Sequence, residues 1–205
     1  MSTKLERRFT QPEVRLLRAA VAAVDSPGTV VGYASVYSYP HDAGTARALS
    51  SDLGGWKERI APSAFDRCLR DGCDCVATIN HDNNKILGRT RNRKLELSSD
   101  SHGLKFRCEL PNTSYSRDLA ALIDRGDLSQ CSFGFLLDPD GEDWSEETDS
   151  DDRSRKVRVR WVRSAKLFDV SVVTRPSYED TSVSKSASPQ FDSLPFEAFF
   201  PEGCP

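Results

Sequence analysis

The sequence has no hydrophobic run long enough to cross a bilayer, which excludes a membrane-spanning helix. A short apolar stretch at residues 16–24 is interrupted by Arg18 and lacks a signal-peptide layout, and the first ten residues are charged. The expectation is a protein that stays in the compartment where it is made. There is no basic stripe interleaved with aromatics, and the net charge of −3 offers no general attraction to nucleic acid. Internal repeats are absent. Histidine is scarce, so a reaction that needs an imidazole has only His41, His81 and His102 to draw on.

Six cysteines raise the question of a disulfide framework or a metal site. Cys73 and Cys75 are one residue apart, which suits neither a disulfide nor the two-residue gap of a zinc knuckle. Cys68, Cys73, Cys75 and His81 could in principle supply four ligands, but Cys68 falls on the face of an expected helix. Reduced structural thiols in a cytosolic protein are the expected state, with no metal.

What the chain does contain is enough apolar material for a core: 38% hydrophobic and 29% charged residues over 205 positions describe one soluble domain with tails. The pattern assigns residues 1–12 to a flexible N-terminus, 13–181 to the domain and 182–205 to a Ser/Pro/Phe-rich disordered tail. Pro27-Gly28 marks a turn into a strand over residues 29–37. Pro62 and Gly72 bracket a short helix whose Phe65, Cys68 and Leu69 face the core. Residues 76–81 and 95–97 read as strands, and residues 104–110 alternate cleanly with period two.

Asn112 or Thr113 can cap a helix with Tyr115, Leu119, Leu122 and Ile123 on one face, ended by Gly126. Arg125-Gly126-Asp127 is thus a helix stop and not an adhesion motif. Strands follow at residues 131–137, 157–162 and 166–174. The acidic run between the first two, residues 138–155, is expected to be a mobile surface loop, because a block of like charges cannot pack unpaired.

Three of these extended segments carry a serine, a histidine and a carboxylate. In Gln130-Cys131-Ser132-Phe133-Gly134-Phe135, alternation puts Phe133 and Phe135 on one face and Ser132 and Gly134 on the other. In Leu167-Phe168-Asp169-Val170-Ser171, Phe168 and Val170 oppose Asp169 and Ser171. Asn80-His81-Asp82 supplies the imidazole at the end of its strand. A β scaffold can hold a nucleophile, a base and an orienting acid in this way, although serines and aspartates are also common on solvated strand faces. Gly134 leaves the Ser132 face open for the backbone of a substrate.

The order of these motifs resembles the prohead (capsid maturation) serine proteases of tailed bacteriophages. Gly32-Tyr33-Ala34, Asp52-Leu53-Gly54-Gly55-Trp56 and Glu58-Arg59-Ile60-Ala61-Pro62-Ser63-Ala64-Phe65 fit the same pattern, which runs from about residue 29 to about residue 181. Ser63 departs from the family's usual glycine. Asp169 stands where glutamate is frequent, keeping the carboxylate with a reach one methylene shorter.

The resemblance implies a mainly β fold with a few helices, a closed or partly closed barrel similar to the herpesvirus assemblins. It also implies Ser132 as nucleophile, His81 as general base and acid, and Asp169 as the residue that orients His81, with no metal or nucleotide cofactor. Asp82, the immediate neighbour of His81, should point away from the ring. The implied substrates are the major capsid protein and scaffold, with self-cleavage and self-association compatible with that role. The implied place of action is an assembling procapsid in the host bacterial cytoplasm. Two other classes fit the sequence less well: a catalytically silent assembly module with the same fold, and a carboxylate-driven glycosidase, for which no opposed acidic pair is identifiable.

Overall fold

The chain enters its first long strand through Gly28, whose φ of 95° lies where glycine is least strained. The computed structural model describes residues 6–9, 27–176, 178 and 180–185, the first four through their backbone. The described residues are mainly β, with two α-helices among them. The strands are β1 (Glu6–Phe9), β2 (Thr29–Val36), β3 (Trp56–Ile60), β4 (Val76–Ile79), β5 (Asp82–Arg89) and β6 (Leu95–Ser99). The remainder are β7 (Gly103–Glu109), β8 (Gln130–Leu137), β9 (Glu142–Thr148), β10 (Lys156–Val162), β11 (Ala165–Val173) and β12 (Ser182–Lys185).

They form three sheets, ordered β1-β8-β11-β4-β5, β3-β10-β9 and β12-β2-β7-β6. Among the described residues none of these orders closes on itself, so the mainly β character is seen but the closed or partly closed barrel is not found among them. Helix α1 (Asp66–Arg70) stops before Gly72, with φ 74°. Helix α2 (Ser114–Arg125) is capped by the Thr113 side chain, which accepts the Ser116 amide, and ends at left-handed Gly126. Its buried face is Leu119, Ala120 and Ile123; Leu122, expected inside, is 37% exposed.

Aromatic packing fixes β8. Phe133 is fully buried, with ring centroids 5.7 Å from Phe65, 5.7 Å from Phe135 and 5.8 Å from Tyr178. Each such side chain contributes about 1.5–3 kcal/mol by leaving water. Residues of β8 on the other face are therefore displayed from an anchored strand.

Several boundaries differ from the sequence reading. The acidic stretch is a loop only at its two ends: Glu142–Thr148 form β9, which pairs in antiparallel register with β10, and Glu147 and Asp149 are buried. The reason lies far away in the chain. Lys57 and Arg59, two apart on β3, meet Asp149, the residue just past β9, and Glu147, near its end. Arg59 is fully buried and also donates to Ser38 Oγ and to the carbonyls of Asp42, Thr45 and Arg47.

The flexible tail was expected to begin at residue 182, but residues 182–185 form β12 against β2. Gly32 permits this approach, since a Cβ there would lie 1.8 Å from the Ser182 carbonyl oxygen. At the other end, Glu6–Phe9 forms a strand inside the stretch assigned to a flexible N-terminus. The aromatic-rich part of the tail lies outside the described residues.

Candidate active site

Strand β4 ends at Ile79, which pairs with Asp82, so Asn80 and His81 are the two connecting residues of a hairpin and not the end of a strand. Both have left-handed backbones, φ 51° and 58°, as a two-residue hairpin connection of the I′ kind requires. Side-chain bonds help to hold this turn. The Ser171 hydroxyl oxygen accepts the His81 amide at 2.8 Å, and Asn80 Oδ1 accepts the Thr174 amide at 3.0 Å. The sequence gives no warning of β5, because Asp82-Asn83-Asn84-Lys85 has poor strand propensity; the hairpin imposes it.

Strand β11 lies between β4, which runs parallel to it, and β8, which runs antiparallel. Its register brings Ser171 opposite Ser132 and Asp169 opposite Gly134. The outcome is a continuous hydrogen-bonded line through three elements. Ser132 Oγ lies 2.7 Å from His81 Nε2, and His81 Nδ1 lies 2.5 Å from Asp169 Oδ2. An ionised carboxylate only accepts, so Nδ1 carries the proton and Nε2 is left to accept from the serine hydroxyl.

The other carboxylate oxygen is also engaged. Thr78 Oγ1 is 2.9 Å from Asp169 Oδ1 and 3.0 Å from Ser171 Oγ. The Thr78 hydroxyl is the donor in both contacts, so its single proton is shared between the carboxylate and Ser171 Oγ, which also accepts the His81 amide. Sequence reasoning did not single out Thr78 or Ser171. Ser171 shares the strand phase of Asp169, which was a usable signal. Thr78 needed the parallel register that sets it beside Ser171.

Ser132 is 0% exposed, and His81 and Asp169 are each 7% exposed. The shorter reach of aspartate is sufficient for contact with the imidazole. Asp82 instead bonds to the Asn84 amide at the surface. His41 lies 3.7 Å from Asp42, and His102 packs edge-on to Tyr33. Neither is part of the cluster. Cys131 is on the core face, and burial raises its thiol well above the ordinary range.

At Gly134 the Ser132 face carries a neighbouring ring. Strand β11 bulges between Leu167 and Asp169, which puts Leu167 into the core and moves Phe168 onto the Ser132 face. A Cβ at Gly134 would lie 2.7 Å from two atoms of the Phe168 ring. The glycine therefore makes room for the Phe168 ring. Among the described residues no three of His, Cys, Asp and Glu gather as a metal site; Cys68 Sγ instead accepts the Leu167 amide at 3.3 Å.

A serine hydroxyl on an imidazole that is backed by a buried carboxylate is the arrangement of a serine hydrolase. The model of the caudovirus prohead serine protease family matches residues 18–193, and the chain belongs to that family. No curated protein and no solved structure matches it.

Proposed function

We propose that this protein is a serine endopeptidase that cuts scaffold, the major capsid protein or both during maturation of a phage procapsid. The observation that carries this reading is the line Ser132 Oγ, His81 Nε2, His81 Nδ1, Asp169 Oδ2, with contacts of 2.7 and 2.5 Å at its two ends. Family membership supplies the setting, an assembling capsid inside a host cell.

In this mechanism Ser132 Oγ attacks the scissile carbonyl carbon while its proton passes to His81 Nε2. The imidazolium so formed keeps its Nδ1 proton directed at Asp169, which offsets the new charge. Collapse of the tetrahedral intermediate breaks the C–N bond, and Nε2 returns the proton to the leaving amine. Water, activated by the same nitrogen, then releases the acyl group from Ser132. Thr78 and Ser171 are positioning residues that hold the carboxylate and the histidine turn. Self-cleavage is consistent with a protease packaged at high local concentration with its substrates.

The test is co-expression with the capsid precursor, read by mass spectrometry. Ser132→Ala should leave the melting temperature unchanged and remove processing, a loss on the order of a million-fold in turnover for a triad nucleophile. Wild-type cleavage by a folded Ser132→Ala chain would end the assignment.

A further inference from the structure

A hydrolase must bring a peptide bond to its serine, and here the serine is fully buried. The face above the neighbouring Gly134 is closed by the Phe168 ring. On one side, β8 is bonded to β11, which carries Asp169 and Ser171 and cannot leave without dismantling the site. That leaves the opposite edge of β8. It is occupied by β1, a strand of four residues that among the described residues is hydrogen-bonded to β8 alone.

The register is specific. Phe9 lies opposite Ser132, Arg8 opposite Phe133, Arg7 opposite Gly134 and Glu6 opposite Phe135, in antiparallel sense. An extended segment of polypeptide thus already lies alongside the serine, held by its main chain. An exposed strand edge is a ready template for such pairing, and main-chain bonding accepts different side chains.

We propose that the β8 edge from Ser132 to Phe135 is the substrate-strand site, and that Glu6–Phe9 fills it in cis. The ligand is an extended segment of a protein substrate, bound antiparallel to β8 through main-chain hydrogen bonds. This rests on the peptidase reading above and adds to it a binding edge, a strand direction and a built-in competitor. A tethered strand competes at a local concentration in the millimolar range, so dilute substrate is excluded and the crowded interior of a procapsid is not. If β1 is undocked a tenth of the time, releasing it fully lowers the apparent dissociation constant of substrate about tenfold.

The experiment uses the full chain and a synthetic peptide of residues 4–11, Lys-Leu-Glu-Arg-Arg-Phe-Thr-Gln. Arg8→Pro removes an amide and the fit to an antiparallel ladder at the centre of β1. In the Ser132→Ala background, Arg8→Pro should speed amide exchange within residues 132–135 about tenfold, and added peptide should restore protection. A peptide with proline at the Arg8 position should not. In the chain that retains Ser132, Arg8→Pro should raise kcat/KM for the capsid precursor about tenfold, and the peptide should inhibit competitively, raising KM with kcat unchanged.

Unaltered exchange at residues 132–135 in the Arg8→Pro chain would overturn the proposal. So would precursor cleavage that neither Arg8→Pro nor the peptide affects, and in that case the peptidase reading stands. Peptide-dependent protection without cleavage by any chain carrying Ser132 would support the strand site and sink the peptidase reading.

Discussion

The Ser171 hydroxyl oxygen accepts the backbone amide of His81 at 2.8 Å, tying the histidine turn to the strand that carries Asp169. The tie matters because Asn80 and His81 both hold left-handed backbones, a conformation that costs of order 1–3 kcal/mol for each residue other than glycine. One short network thus sets both the position of the imidazole and the orientation of its carboxylate.

Ser171→Ala removes the acceptor for the His81 amide, and Thr78→Val removes the donor to Asp169 Oδ1 while keeping the shape of the side chain. Each leaves a buried polar group unsatisfied, so each should lower stability by about 1–3 kcal/mol in urea unfolding. Both should also lower kcat with little change in KM. A stability loss with unchanged kcat would reduce both residues to structural support.

The imidazole and the carboxylate can be ranked by substitution. His81→Ala should be nearly as damaging as loss of the serine, while His41→Ala and His102→Ala should retain activity within about threefold, being outside the cluster. Asp169→Asn should fold and lose on the order of ten-thousand-fold in kcat, through the wrong tautomer and an unsupported imidazolium. Asp82→Asn should be silent. Inactivation by Asp82→Asn with an active Asp169→Asn chain would displace the third residue of the mechanism.

Acid sensitivity should come from the buried ion pairs behind β9. Hydrogen bonds from Lys57 and Arg155 hold the Asp149 carboxyl below the usual aspartate range. A depressed folded pKa contributes stability above the unfolded value of about 3.9, and that contribution is lost as pH falls through the folded value. Asp149→Asn should therefore be less stable than wild type at pH 7, with the gap narrowing below about pH 4. Glu147→Ala strands the fully buried Arg59 and should cost about 3–5 kcal/mol. Urea midpoints across pH would check both.

Truncation separates the last strand from the tail. A chain ending at Thr181 loses β12 and the buried Val183, and its melting temperature should fall by several degrees. A chain ending at Lys185 should melt as wild type. The segment beyond carries Phe191, Leu194, Phe196, Phe199 and Phe200, which we propose as anchors of a recognition peptide. The Lys185-terminated chain should then keep its peptidase site but enter procapsids less efficiently, or become active at a different time. Unchanged packaging and timing would leave those residues without that role.

Local signals were sufficient for the elements that depend on local physics. The alternation of residues 104–110 predicted β7, Thr113 and Gly126 bounded α2, and the phase of Ser132 against Phe133 placed the serine off the core face. Pairing across the chain was not readable in the same way. The acids in and just past β9 looked like a solvated block because their partners Lys57 and Arg59 lie about ninety residues earlier. The bulge at Phe168, which reverses that residue's face and closes the space over Gly134, depends on the register between β11 and β8. The side-chain period of a strand is two, so a shift of one residue in pairing changes which side chains meet. Residue type and phase along the chain thus determined which groups could react. Only strand register decided that Thr78 and Ser171 support His81 and Asp169, and that Phe9 comes to lie opposite Ser132.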